Sequence, residues 1–184
     1  MDYKLQSKDE YTQLLRANGI TTWNAALDFI RKTPYGRNTN RADFSLVITE
    51  NKGTCSSKHA FLKEIAIRNT IPNIDLIIGI YKMNESNTDI ASILTEHKID
   101  YIPEAHCYLR SNHQTIDVTT THSEFEKLHN DILVEVGIEA QQVIDYKITF
   151  HQNFIRKWIQ EHNIAYSFQE IWTIREKCIQ QLST

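Results

Sequence analysis

The chain has 184 residues, of which 41% are hydrophobic and 23% are charged, and 20 basic against 23 acidic side chains give a formal net charge of −3. This length and ordinary globular composition predict a single domain with a buried core. The small acidic excess argues against a nucleic-acid-binding protein and against a protein that binds anionic membranes, because both need a basic surface.

The sequence also predicts a cytoplasmic protein. It contains no run of about 18 apolar residues that would span a membrane, and its polar N-terminus lacks the apolar segment of a signal peptide. Its three cysteines are too few, and odd in number, for a disulfide framework. A reducing compartment suits such a chain and would preserve a free reactive thiol.

The first forty residues are predicted to be mainly helical, because apolar residues such as Ala26 and Ile30 recur with a helical period. The Thr-Pro-Tyr-Gly stretch at 33–36 is typical of a helix end. Residues 44–49 are apolar and partly β-branched, which predicts a strand or an extended segment.

A second helical region is predicted to begin at Cys55, with Thr54 as its N-cap. One stripe of that helix carries the side chains that should face the core, namely Cys55, His59, Leu62 and Ala66. Lys58 and Ile65 lie close beside this stripe.

The centre of the chain alternates strands and turns. Isoleucine-rich residues 74–81 predict a buried strand, and residues 89–97 predict a short helix. Segments 105–110 and 115–118 are predicted to be two strands of a hairpin, joined by four polar residues.

The last third of the chain returns to helix. Residues 132–136 predict another strand, and residues 143–150 predict either a strand or part of a helix. Two helices end the chain, one over roughly residues 152–162 and one that opens with a capping box between Ser167 and Glu170. Helices, then strands, then helices around one core predict an α+β fold.

Three residues in the centre of the chain, Cys55, His106 and Asp117, have the order and setting of a nucleophilic triad. A thiolate attacks a carbonyl carbon, and the N-terminus of a helix stabilises that anion. An imidazole on a facing strand takes up and returns the proton, and a carboxylate on the next strand orients the imidazole. Asp117 follows His106 by eleven positions, so both side chains can share a face if the hairpin register has the right parity, which the sequence leaves open.

Each of these residues alone also has an ordinary structural interpretation, so the prediction depends on the whole set. The backbone N–H of Cys55 is expected to supply part of an oxyanion hole. Glu104, just before His106, is predicted to bind substrate. Cys107 is expected to face away from His106 and to pack against the core.

Two neighbours of Cys55 leave alternatives open. His59 lies one helical turn further on and competes with His106 as the base, but no carboxylate is evident to orient it, and packing is its simpler interpretation. Lys58 either lowers the pKa of the thiol, or binds an acidic group of the substrate, or is simply solvated.

Two further alternatives concern the chemistry of the cysteines. A zinc site formed by Cys55, His59, His106 and Asp117 is a weaker hypothesis, because the chain has no paired Cys-x-x-Cys motif. We therefore expect no metal and no cofactor. A disulfide between Cys55 and Cys107 that inactivates the thiol is a further hypothesis.

The residues around the triad form three short motifs, namely Gly53-x-Cys55 at a helix start, His106-x-Tyr108, and Asp117-x-Thr119 at a strand end. Together these motifs resemble the transglutaminase-like superfamily of papain-type cysteine enzymes. In this resemblance the catalytic cysteine, histidine and aspartate of the family correspond to Cys55, His106 and Asp117.

The resemblance covers roughly residues 44–120 and implies one domain over residues 1–184. Its papain-like α+β core would pack the helix that bears the nucleophile on an antiparallel sheet. The helical residues 1–40 and the residues 121–184 would be extensions that pack on this core as flanking helices.

Two positions depart from the pattern of the family. Tyr108 stands where a tryptophan often follows the histidine by two residues, and Ser56 stands where a tryptophan usually follows the nucleophile. Together with Glu104, these side chains are predicted to bind substrate. Because they alter the walls of the site, the substrates of the family cannot be carried over.

The resemblance implies thiol-dependent chemistry on amide bonds through a thioester intermediate. The protein would be a peptidase, an amide hydrolase or an acyl transferase, and its partner a peptide, a protein or a small amide. The alternative is a protein that keeps the fold and its pocket but binds a ligand without catalysis. The sequence does not separate hydrolysis from transfer, and it leaves the oligomeric state open.

Overall fold

The structure is a computed structural model that describes residues 2–181. Within these residues the fold is α+β, as predicted, with eight α-helices and four strands. The helices are α1 Glu10–Ala17, α2 Trp23–Lys32, α3 Leu46–Thr49, α4 Cys55–Arg68, α5 Ala91–His97, α6 Glu126–His129, α7 Asp145–Glu161 and α8 Phe168–Gln181. The strands are β1 Ile74–Met83, β2 Ile102–Ser111, β3 Gln114–Ile116 and β4 Ile132–Ile138, and a short 3-10 helix covers Ala140–Val143.

The four strands form an antiparallel sheet in the order β3-β2-β1-β4. The predicted hairpin is confirmed, because β2 and β3 are antiparallel neighbours. Its turn is two residues long rather than four, since Ser111 and Gln114 already pair with each other. Asn112 and His113 have φ values of 47° and 68°, the left-handed conformation that a tight two-residue hairpin turn requires.

The described chain separates into two compact units, each built from three stretches of sequence. Unit 1 contains Met1–Ile78, Cys107–Ser123 and Val136–Ile144. Unit 2 contains Gly79–His106, Glu124–Glu135 and Asp145–Thr184. The prediction of one domain with its core at residues 44–120 stays a prediction.

Unit 1 is organised around α4, which contacts α1, α2, α3 and the 3-10 helix. The prediction of one buried stripe on α4 is too narrow, because neighbours on several sides cover most of the helix. Its buried residues are Cys55, Ser57, Lys58, His59, Ala60, Phe61, Leu62, Ile65 and Ala66. The start of the helix is therefore enclosed by protein, which removes water from the polar groups found there.

Unit 2 has a hydrophobic core to which α5, α7 and α8 contribute, and α8 contacts the other two helices. The buried members of this core are Tyr81, Met83, Ile90, Leu94, Ile99, Ile102, Ile155, Trp158, Ile171, Ile174 and Cys178. The prediction that two helices end the chain is confirmed by α7 and α8.

Two predicted elements are wrong. Residues 44–49 are not a strand, because Leu46–Thr49 forms a helical turn that buries Phe44 and Val47 one turn apart. Just before this turn, Asp43 Oδ1 accepts a hydrogen bond from Ser45 N at 3.0 Å. The strand alternative for residues 143–150 is also wrong.

The helix α7 begins at Asp145, seven residues before the predicted start. Its buried side chains are His151, Ile155 and Trp158. Their spacing of four and three residues is that of one helical face, so burial on that face explains why the segment is a helix.

Several predicted boundaries are confirmed. The helix α2 ends at Lys32, with Thr33 as its C-cap, and α4 begins at Cys55 after Thr54.

Among residues 2–181, no helix combines the length and the apolar character that crossing a membrane needs.

Candidate active site

The start of α4 is determined by a reciprocal pair of hydrogen bonds. Thr54 Oγ1 accepts a hydrogen bond from Ser57 N at 3.3 Å, and Ser57 Oγ accepts one from Thr54 N at 2.9 Å. This capping box makes Cys55 the first residue of the helix, where the backbone N–H groups and the helix dipole favour an anion. Cys55 is 8% exposed, whereas Cys107 and Cys178 are 0% exposed.

Gly53 has a steric role two residues before the cysteine. A Cβ atom at this position would lie 2.9 Å from Lys58 Cγ and 3.0 Å from Ser57 Oγ. Its backbone is held by a hydrogen bond from Gly53 N to Pro34 O at 3.0 Å. The absence of a side chain therefore leaves the space through which the first turn of α4 folds back against the preceding loop.

Lys58 is fully buried, so its interpretation as a solvated residue is wrong. Its Nζ donates hydrogen bonds to the backbone carbonyls of Thr33 and of Thr119, the latter at 2.6 Å. Burial lowers the pKa of Lys58 from its ordinary 10.5 to about 8, and the negative charges of Asp117 and Cys55 oppose that shift. A buried cation thus lies one turn from the proposed nucleophile.

His59 is also fully buried, and both of its ring nitrogens have partners. Val118 N donates a hydrogen bond to Nε2 at 3.0 Å, so Nε2 carries no proton. Nδ1 lies 2.7 Å from Cys55 O, and it must be the donor because a carbonyl only accepts. His59 is therefore a neutral imidazole that links α4 to the chain after β3, and it has no nitrogen left to take the thiol proton.

Asp117 follows β3 directly and its side chain is 4% exposed. Its Oδ1 accepts hydrogen bonds from Thr119 N at 2.9 Å and from Thr119 Oγ1 at 2.6 Å. This local turn explains the Asp-x-Thr spacing. Oδ1 also lies 3.7 Å from Nε2 of His59.

The paired residues of the hairpin end one residue before Asp117. Arg110 pairs with Thr115 across the two strands, and cross-strand partners project to the same face of a sheet. Asp117 lies two residues beyond Thr115, and Tyr108 lies two residues before Arg110. Because side chains alternate along a strand, Tyr108, Arg110 and Thr115 belong to the same face of the hairpin, whereas Asp117 lies beyond the last paired residue, Ile116.

Cys55 and Asp117 both interact with Lys58 and His59 of α4. The negative charges of both act on the Lys58 ammonium, and the His59 ring contacts the Cys55 carbonyl and lies 3.7 Å from the Asp117 carboxylate. His106 belongs to β2 and ends the segment Gly79–His106, which is part of unit 2. Its ring lies edge-on to Tyr81, with 6.4 Å between the centroids. Its assignment as the base stays a prediction.

The three predicted substrate-binding residues lie in different surroundings. Ser56 Oγ is 3.9 Å from Cys55 Sγ. Tyr108 is 1% exposed, and the Arg110 Cζ atom lies 5.8 Å from its ring centroid. Glu104 is buried within unit 2. Their roles in substrate binding stay predictions.

Glu104 has a strong ion-pair partner that the sequence did not reveal. Arg175 binds both of its carboxylate oxygens, through Nε to Oε2 at 2.6 Å and through a terminal nitrogen to Oε1. Burial by itself would raise the pKa of Glu104, but the charges of Arg175 and then His151 hold it below its ordinary value. His151 Nε2 lies 2.8 Å from Pro103 O and 3.8 Å from Oε2 of Glu104.

Lys58 is the residue of this site whose importance the sequence analysis missed. The signal was present, because Lys58 stands three residues before Phe61 and four before Leu62, and therefore on a face that is apolar further along the helix. A lysine on such a face is either misplaced or buried with partners.

In the described part of the chain, residues 2–181, no three His, Cys, Asp or Glu side chains are grouped as ligands for a metal ion.

Comparisons of the chain with protein families, with curated proteins and with solved structures gave no significant match.

Proposed function

We propose that this protein is a cysteine-dependent amide hydrolase or acyl transferase, with Cys55 as the nucleophile, His106 as the base and Asp117 as the carboxylate that orients the imidazole. The setting of Cys55 carries the proposal. Cys55 is the first residue of a capped helix, lies one turn from the buried ammonium of Lys58, and is the most exposed of the three cysteines in the sequence. The first two features favour the thiolate form, and the third makes Cys55 the most accessible of the three thiols.

The chemistry requires two acyl-transfer steps. The Cys55 thiolate attacks the carbonyl carbon of an amide, and the C–N bond breaks as His106 gives a proton to the departing amine. This leaves the acyl group on Sγ as a thioester. Water or a second amine then attacks the thioester and gives a proton to His106. The C–S bond breaks, which releases an acid or a new amide and restores the thiolate.

The assignment of the base rests partly on elimination. His59 is closest to Cys55 in sequence, but both of its nitrogens are occupied by the Cys55 carbonyl and the Val118 N–H. His106 lies two residues before Tyr108 on β2, so alternation directs these two side chains to the same face of the strand. The pairing of His106 with Asp117 rests on the sequence motifs His106-x-Tyr108 and Asp117-x-Thr119.

The substrate is proposed to be a peptide, a protein or a small amide, with Ser56, Tyr108 and Glu104 in contact with it. No cofactor takes part in the proposed reaction. Whether water or an amine resolves the thioester depends on which of them reaches the acyl group. Products trapped on Cys55 after incubation with a peptide library would identify the acyl donor by mass spectrometry.

The direct test is competitive alkylation of the full chain with iodoacetamide near neutral pH, read out for each cysteine by mass spectrometry. We expect Cys55 to react at least about tenfold faster than Cys107 and Cys178. Cys178 is a built-in reference, because burial raises the pKa of its thiol to about 11. His106→Ala should remove the advantage of Cys55, whereas the same change at the exposed His122 should leave it intact.

Equal and slow labelling of all three cysteines in the folded protein would overturn the proposal. A second contradiction would be a Cys55→Ala variant that keeps both its ligand binding and its full function in a cell-based assay. That result would instead favour a binding protein of the same fold.

A further inference from the structure

We propose that Lys58 is a positioning residue for Cys55, which ties the start of α4 to the loops on either side of it and keeps the thiol in its reactive anionic form. The inference rests on the proposed function, since it concerns the same nucleophile. It adds a residue and a physical role that the triad alone does not contain.

The first part of the argument is geometric. The Nζ atom of Lys58 donates to the carbonyl of Thr33, which follows α2, and to the carbonyl of Thr119, which lies two residues beyond Asp117. One side chain therefore joins three segments that are distant in sequence. Because Cys55 and Asp117 are both within a few residues of these contacts, Lys58 fixes the segments that carry them.

The second part excludes a reactive amine. A lysine nucleophile must expose an unprotonated nitrogen to the substrate, but the side chain of Lys58 is 0% exposed and its nitrogen already donates to two carbonyls. Lys58 thus acts on the site through its hydrogen bonds and its charge.

The third part concerns that charge. The charged groups that face the ammonium are Asp117 and Cys55. Attraction is mutual, so an ammonium that is stabilised by a thiolate also stabilises that thiolate. Deprotonation of Lys58 near pH 8 removes this attraction but leaves two N–H groups on the neutral amine, enough for both carbonyls.

The fourth part is the space that Gly53 provides. A Cβ atom at Gly53 would meet Lys58 Cγ at 2.9 Å, which is closer than atoms of a packed interior approach. The glycine, the cysteine and the lysine at positions 53, 55 and 58 therefore form one physical arrangement, in which the glycine makes room for the stem of the lysine.

The experiment measures the rate of Cys55 alkylation as a function of pH in the full chain and in three variants. Lys58→Met removes the charge and both hydrogen bonds, and Lys58→Gln removes the charge but keeps an amide donor. Lys63→Met is the matched control, because Lys63 lies on the same helix and its Nζ also donates to a backbone carbonyl, that of Ile74 at 2.7 Å. Near-ultraviolet circular dichroism establishes that each variant is folded.

We expect Lys58→Met and Lys58→Gln to slow Cys55 alkylation at least about tenfold below pH 8 and to move the half-maximal rate to higher pH. Lys63→Met should change the rate less than about twofold, since it lies away from the thiol. If Cys55 is fast in the wild type and equally fast in the folded Lys58 variants, the role of Lys58 is overturned while the proposed function stands. If Cys55 is slow already in the wild type, the proposed function fails first.

Should neither Lys58 variant fold, the wild-type profile decides. Two coupled groups titrate in two steps, so loss of the Lys58 proton near pH 8 should appear as a second step in the rate of Cys55 alkylation. A profile with a single step would overturn the inference.

Discussion

The imidazole of His59 accepts a hydrogen bond from the backbone N–H of Val118, 3.0 Å away and directly after Asp117. Its other nitrogen donates to the carbonyl of Cys55. A buried histidine thereby connects the first turn of the nucleophile helix to the segment that carries the carboxylate. The two residues that the sequence places side by side, Lys58 and His59, make the same connection in two ways, one with an ammonium and one with a neutral ring.

The first prediction separates a structural from a catalytic histidine. His59→Leu leaves the buried Val118 N–H without an acceptor, which should lower the free energy of unfolding by about 1–3 kcal/mol. His59→Gln, whose amide can both donate and accept, should lose less. Urea unfolding measures both values, with the exposed His122→Ala as a control that stays near the wild type.

The same variants bear on the choice of the base. Folded His59→Gln should keep the fast alkylation of Cys55, because His59 has no free nitrogen in the native structure. Loss of that reactivity in His59→Gln, together with its retention in His106→Ala, would exchange the roles assigned to the two histidines.

The second prediction concerns stability at alkaline pH. The folded-state pKa of Lys58 is about 8, below its ordinary 10.5, so between these values the unfolded chain binds more protons than the folded chain. The free energy of unfolding contributed by this group therefore rises as pH increases from about 8 to about 10.5, by at most roughly 3 kcal/mol. Below pH 8 the buried charge is a constant cost.

The measurement compares urea unfolding of the wild type and of Lys58→Met across that pH range. Cys178 has a pKa raised to about 11 and works in the opposite direction, but it is present in both proteins and cancels in the difference. The wild type should gain stability relative to the variant as pH rises. Parallel curves for the two proteins would contradict the burial of a titrating Lys58.

The third prediction tests the space at Gly53. Gly53→Ala brings a methyl group against Lys58 Cγ and Ser57 Oγ and should cost about 1–3 kcal/mol of unfolding free energy. In a Lys58→Ala background one of these clashes disappears, so the same change should cost less. Gly137→Ala is the matched control, because a Cβ there meets nothing within 4 Å.

A double-mutant cycle expresses this as a coupling energy between positions 53 and 58, expected in the range of about 0.5–3 kcal/mol for residues in contact. A coupling energy of zero, with Gly53→Ala equally costly in both backgrounds, would place the strain elsewhere, at Ser57 or in the backbone.

The fourth prediction concerns the buried ion pair of unit 2. Arg175→Met leaves Glu104 buried without its cation and should cost about 3–5 kcal/mol. Adding Glu104→Gln should recover part of that loss, because the uncompensated charge is gone. Lys157 and Glu161 form a surface pair with side chains 70% and 56% exposed, so Lys157→Met should cost less than about 1 kcal/mol.

The pair formed by Glu104 and Arg175 should also make the free energy of unfolding depend on pH in the acid range. The pKa of Glu104 is held below its ordinary 4.5, so its stabilising contribution is complete above that value and is lost as pH falls through the lower folded-state pKa. Arg175→Met should flatten this part of the unfolding curve. An unchanged acid transition in the variant would show that other carboxylates dominate it.

Features that depend on a few neighbouring residues could be predicted from the sequence. Thr54 caps the helix at Cys55, the hairpin pairs β2 with β3, and Ser167 N donates to Glu170 Oε2 at 2.7 Å in the predicted capping box. These hydrogen bonds close within three or four residues or across one short turn. The amino-acid pattern therefore contains both partners.

The rest depended on what packs against each segment. Only the tertiary structure places partners on every side of α4, and so buries Lys58 and occupies both nitrogens of His59. Only the tertiary structure brings Arg175 to Glu104, because these side chains come from distant parts of the chain. The local sequence thus determined where the nucleophile helix begins, whereas the fold decided which charges and hydrogen bonds surround it, since burial and long-range contacts depend on the whole chain.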